Sequence, residues 1–292
     1  MGTHLKLIGG TVFGGTLMFL WWSEYGSDIA AIGEVEWAWL ALALLSLGVS
    51  LGLQLIRTHL LIQPSSMGKI ASPVLLAHGL NVLAPSLLGD LYEIGALARS
   101  ERRPVREILG RLLHRLSTTL AALGLLAGVA LGSVDPNLGF VLMSGGLAIP
   151  FLLDASTPAW SPRLRVPATD PIAPLEPLGL GRTLFHVVLS AIQHTLSAAS
   201  VFLLGAAIGD PVSPPTAAGM LSLADLVTYL PIPLGGVGLH HWGVSSMAEI
   251  LGSVPAQLVV VNHALAVLVG GLCAAAGWTL SSDNAGQSRQ NE

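Results

Sequence analysis

Charged side chains make up only 10% of the 292 residues, against 52% hydrophobic ones. A soluble domain carries about 25% charged residues. A chain of this size with so few cannot clothe a water-facing surface, which excludes an ordinary soluble globular fold. Acyl chains solvate apolar side chains directly, so a bilayer removes the difficulty, and the mean hydropathy of +0.70 agrees. Cysteine is nearly absent. Cys273 stands alone in an apolar run, so no intrachain disulfide and no thiolate metal site can be built. It reads as a small packing residue. Lysine is confined to Lys6 and Lys69, leaving arginine to carry the positive charge. The formal net charge of −4 matters less than where the charges lie.

What is present is a series of long apolar runs. A spanning helix needs about 20 apolar residues, and six stretches qualify: 5–22, 36–56, 111–131, 138–153, 183–207 and 255–280. The first follows His4 and Lys6 and lacks a small-residue cleavage site close behind it, so it reads as a retained signal anchor. Trp21 and Trp22 end it, at the position of interfacial tryptophans. The Asp135-Pro136-Asn137 turn joins the third and fourth spans, and a Pro-rich stretch, 157–177, joins the fourth and fifth. Residues 281–292 form a polar tail expected to be disordered.

Two further apolar segments are short and broken. Residues 71–88 contain Pro73 and Pro85, and residues 215–234 contain Pro231 and Pro233. The first ends at Gly89-Asp90 and the second at Gly235-Gly236-Val237-Gly238. Lipid cannot satisfy the hydrogen bonds of broken backbone, so such segments must be enclosed by protein or line a wet cavity. Both read as re-entrant half-helices.

Arginine sets the orientation. Arg99, Arg102, Arg103, Arg106 and Arg111 cluster in one loop, Arg57 and Lys69 flank another, and Arg163, Arg165 and Arg182 mark a third. The opposite loops carry Glu24, Asp28, Glu34, Asp135 and Asp210. Six spans then place both termini in the cytoplasm, in accord with the positive-inside rule. On this topology the two broken segments enter from opposite sides, giving inverted repeats of roughly 71–132 and 213–280 within a single domain, 1–280. Inverted repeats whose broken helices meet near the midplane recur in transporters. The expected fold is therefore an all-α polytopic bundle with six spanning and two re-entrant helices.

At these two motifs the chain resembles the transmembrane region of the lysylphosphatidylglycerol synthases, a flippase-like family of integral membrane proteins. The likeness covers most of residues 5–280 and is most specific at 81–115 and 230–241. The family's first stretch reads Asn, Pro, Gly with an acidic residue, a helix, then Arg at the start of a span. Here these are Asn81, Pro85, Gly89, Asp90 and Arg115. The second is Leu-Pro-x-Pro-x-Gly-Gly-x-Gly, here Leu230 to Gly238, with Pro231, Pro233, Gly235, Gly236 and Gly238 in the fixed places. The chain departs from the pattern with Glu93 where Arg is frequent, His114 where Glu is, His240 or His241 where Glu follows the glycines, and Asn262-His263 where the last span often has Arg. The resemblance implies translocation of a phospholipid or lipid-linked sugar in the cell membrane, without a cofactor. It does not extend to aminoacyl transfer, for which no domain is present, so an enzyme is not the leading expectation.

The candidate substrate-binding residues are the motif positions together with Glu93, Asp225, His240 and His241. A charge at the bilayer centre costs about 2.5–3.5 kcal/mol on insertion scales, so each needs a reason. Asp90 is either a headgroup contact or an N-cap for the helix after it. Glu93 either shares an acidic face with Asp90 or pairs with Arg115 or the arginine loop. Arg115 either grips a lipid phosphate in bidentate fashion or snorkels as an anchor at the cytoplasmic end of its span. Asp225, on an otherwise apolar helix, is the most expensive acidic residue in the chain unless it faces a cavity, where it would take a substrate or proton role. The glycine run is either a close-packing device or a set of free amides facing an anionic headgroup; it lacks the Lys-Ser/Thr sequel of a phosphate loop. His78, His194, His240, His241 and His263 invite a metal reading, but no His-Glu-x-x-His pattern occurs, and proton-coupled switching suits histidine better. Two alternatives to translocation stand: a membrane partner docking a glycosyltransferase or other lipid-modifying enzyme, and a membrane-embedded metal hydrolase.

Overall fold

The computed structural model describes residues 34–64, 66–83, 88–160, 177–228 and 256–290. Every element among them is helical: α1 (Trp37–Ile62), α2 (Gly68–Leu83), α3 (Leu88–Glu101), α4 (Val105–Gly132), α5 (Pro136–Trp160), α6 (Leu180–Ala207), α7 (Pro214–Thr228) and α8 (Ala256–Gln290). Five stretches are long and apolar enough to cross a membrane: Trp37–Ile62, Val105–Gly132, Pro136–Thr157, Leu180–Ala207 and Gln257–Leu280. They coincide with the second to sixth expected spans. The expected span 5–22 lies outside the described residues.

The solvation pattern is inside-out. Leu180 is 73% exposed and Phe140 67%, and Leu45, Val141, Leu152 and Leu272 are exposed with them. Arg57, Glu93, His114, Gln193 and His194 are buried. In water this would be unstable; in lipid the apolar exterior is solvated and the polar groups are sheltered. The described helices are those of an integral membrane protein.

α4 is the hub, packing on α1, α3, α5, α6 and α7. Its pairing with α5 follows from glycine. Gly124, Gly128 and Gly132 repeat every fourth residue along one face of α4, and Gly139 and Gly146 face them from α5. A Cβ on Gly139 would lie 2.7 Å from the Gly128 carbonyl oxygen, so only glycine permits this approach, as in small-residue membrane interfaces. α2 packs on α8 in a similar way, with Gly79 against Gly270 and the Ser72 hydroxyl donating to the Gly277 carbonyl at 2.8 Å.

Two apolar clusters cap the bundle. One joins Ala43, Val201, Leu204, Met220 and Leu258; the other joins Ile62, Ile70, Val74, Leu97, Ile108 and Leu112. Between them, along α1, α4 and α6, lies a layer of polar side chains.

Two expectations need correcting. Pro73 does not interrupt its helix. It sits in the second turn of α2, the helix running on to Leu83, because one missing donor so near the start costs a single backbone bond. α4 begins at Val105, six residues before the expected 111, because an amphipathic turn bearing Arg106, Glu107 and Arg111 precedes the apolar run. The backbone of α8 is helical to Gln290, into the polar tail. Extending an existing helix fixes one residue per added bond, so a buried span propagates readily into a polar sequel.

Candidate functional site

The polar layer centres on two arginines. Arg57 is 1% exposed and lies inside α1, five residues before its end. It does not flank a loop, as its place after an apolar run led one to expect. Its Nη1 donates to Gln193 Oε1 on α6, and its Nη2 donates to Thr118 Oγ1 at 2.8 Å and to the Arg115 carbonyl at 3.3 Å on α4. These partners solvate a charge that would otherwise be expelled from the interior.

Arg115 is ten residues past Val105, about 15 Å along α4. Its side chain is turned onto protein partners and does not reach outward as a snorkelling anchor would. Its guanidinium forks onto Glu93, Nη2 reaching Oε2 at 2.7 Å, while Nη1 also donates to Thr58 Oγ1 at 2.8 Å. Glu93, on α3, is 1% exposed. Of its two readings, pairing with Arg115 is the one observed. This bidentate pair, enclosed by α1, α3 and α4, is of the strong charge-assisted kind.

Asn81, Gly89 and Asp90 converge at the break between α2 and α3. Asn81 Nδ2 donates to Asp90 Oδ1 at 3.1 Å. A Cβ on Gly89 would collide with the Ala77 carbonyl and the Asn81 side chain, so glycine lets α3 fold back against α2. Pro85, in the break, lies outside the described residues. Asp225 sits in the last turn of α7, partly buried. Pro231, Pro233, Gly235, Gly236, Gly238, His240 and His241 lie outside the described residues, as do Arg163, Arg165 and the side chain of His263.

The helices α2 and α7 have 16 and 15 residues, about 24 Å or less in length against a hydrocarbon core of about 30 Å. α2 lies against α8, and α7 lies against α4. Each short helix therefore packs on a long span.

The structure adds residues that the sequence reading passed over. Ser50 on α1 donates to the Gln193 carbonyl at 3.0 Å and pairs with Ser197 at 2.7 Å. Asp154, buried near the end of α5, accepts from the Gly179 amide at 2.9 Å and from the Leu178 amide, holding the entry to α6. Along α6, Thr183, His186, Ser190, Gln193 and Ser197 form one polar stripe, spaced by three or four residues, and His194, already noted, lies on it four residues past Ser190. That spacing was the available signal. Among the described residues no group of three or more His, Cys, Asp or Glu side chains is placed to hold a metal ion.

No family model, curated protein or solved structure matches the chain.

Proposed function

We propose that this protein is a flippase-like lipid translocase, carrying the polar headgroup of a phospholipid or lipid-linked sugar between leaflets. The observation behind the reading is the layer of ionised and hydrogen-bonding side chains, Arg57, Glu93, Arg115, Gln193 and their hydroxyl partners, buried between two apolar clusters of a lipid-clad bundle. Intramembrane ionisable groups are costly and mark substrate or ion pathways.

The exchange of short helices between halves, α2 on α8 and α7 on α4, supports an inverted repeat in which both are re-entrant. The resemblance of the Asn81–Arg115 and Leu230–Gly238 stretches to the flippase-like family points the same way. In this reading Asp90, locked to Asn81 just past the break that follows α2, and Asp225, in the last turn of α7, meet the headgroup. The Arg57–Arg115–Glu93 group carries fixed charges that a passing headgroup exchanges for transient ones. The arginine-rich α3–α4 loop faces the cytoplasm of a plasma-membrane protein.

The test is leaflet transfer by the purified protein in liposomes, with fluorescent phospholipid and polyprenyl-linked sugar probes. Transfer by the native chain and its loss in Asp225→Asn are expected. Absence of transfer for every probe would end the reading in favour of a non-catalytic partner of a lipid-modifying enzyme.

A further inference from the structure

Among the described residues, the stripe on α6 holds a group of buried polar atoms without hydrogen-bond partners. Ser190 is completely buried and its hydroxyl meets nothing; His194 is 7% exposed and neither ring nitrogen is bonded; His186 Nδ1 is likewise unbonded. These residues are four apart, so they lie along one ridge of α6, covering about 12 Å. The ridge is turned inward, toward α1 and α4. Leaving such atoms buried and unsatisfied costs about 1–3 kcal/mol each, so a partner from outside the chain is expected.

The surrounding charges define that partner. Arg57 lies within electrostatic range of both His186 and His194, and Arg182 and His114 within range of His186; Arg111 and Asp154 bear on His114. The two buried carboxylates nearby are already committed, Glu93 to Arg115 and Asp154 to the amides of Leu178 and Gly179. The Ser190 hydroxyl and one nitrogen of each neutral imidazole can donate. A group rich in acceptors and negatively charged satisfies several donors at once; a second cation or a purely donating group does not.

We infer that His186, Ser190 and His194, with Arg57 beside them, form a binding subsite for a phosphate-bearing group, either the phosphate of a lipid headgroup or free phosphate. The subsite deepens the translocation reading by naming the charge the carried headgroup bears, and for its meaning in transport it rests on that reading. Oxyanion binding itself can be measured apart from transfer.

The experiment measures binding to the full-length protein in a phosphate-free glycoside detergent by calorimetry. The probes are short-chain phosphatidylglycerol, the short-chain diacylglycerol that lacks the phosphate, and inorganic phosphate. The phosphatidylglycerol is expected to bind and the diacylglycerol not. Ser190→Ala and His194→Leu should each weaken binding about tenfold or more, the scale of one hydrogen bond to a charged group. Ser46→Ala, which removes a hydroxyl already bonded to the Leu196 carbonyl, should leave binding unchanged. Ser190→Ala removes a single oxygen, so it reports even if His194→Leu does not fold. Competition by inorganic phosphate would assign the site to free phosphate, and its failure to compete would assign it to lipid. Equal binding of the diacylglycerol, native-like binding by Ser190→Ala, or no binding of either phosphate probe would overturn the inference. Binding without transfer would remove the translocation reading alone; transfer without binding would remove the subsite alone.

Discussion

Replacing Glu93 should be among the most damaging single changes in the protein. Glu93 is 1% exposed and receives both terminal nitrogens of Arg115. Glu93→Leu strands the Arg115 guanidinium in the interior, with Thr58 as its remaining described side-chain acceptor. Breaking a buried pair by removing one partner costs about 3–5 kcal/mol, and 3 kcal/mol is a factor of about 150 in the folding equilibrium. Replacing both partners with apolar residues of similar volume is frequently neutral, so Glu93→Leu with Arg115→Met should recover most of the loss. The assay is reversible unfolding from mixed micelles in a double-mutant cycle, whose coupling energy isolates the pair. A loss below about 1 kcal/mol, the range of exposed pairs, would refute the claim that the pair is enclosed. So would a double mutant no better than the single one.

Three further outcomes follow from particular contacts. Gly139→Ala should destabilise the α4–α5 pair, since its Cβ would sit 2.9 Å from the Gly132 amide nitrogen, whereas Gly145→Ala meets nothing within 4 Å and should be neutral or stabilising by up to about 1 kcal/mol; thermal unfolding of the two variants in one detergent decides. Asp154→Ala should release the Leu178 and Gly179 amides at the start of α6, at a cost of about 1–2 kcal/mol, seen as faster hydrogen exchange over residues 178–183 with the core of α4 unaffected. In a Cys273→Ala background, a cysteine at Arg102 should be shielded from an impermeant thiol reagent in intact cells and one at Asn137 should react, both positions being exposed; the reverse pattern would invert the topology.

The long apolar runs made the spans legible, because bilayer thickness imposes a length that sequence displays directly. Boundaries were less visible wherever a helix runs on through charge. α4 starts among arginines, and α8 continues into polar residues, because helix propagation needs no apolar face once a span anchors it. The Glu93–Arg115 pair was one of two readings open to Glu93, since an acid on a short helix and an arginine on the next span are near in sequence. Arg57 was misplaced because its partners Thr118 and Gln193 lie 61 and 136 residues away, and nothing local distinguishes a buried arginine from a boundary one. Asp154 escaped for the same reason. His186 and Ser190 had a signal, the stripe spacing along α6, but it was submerged in an otherwise apolar run.

The most direct test of translocation is transfer of headgroup-labelled lipid across liposome membranes by the purified protein. The account predicts protein-dependent transfer of a phosphate-bearing lipid, lost in Asp225→Asn although that variant reconstitutes and unfolds like the native chain. Protein-free and protein-loaded liposomes that behave alike, for both phospholipid and polyprenyl-linked sugar, would contradict it.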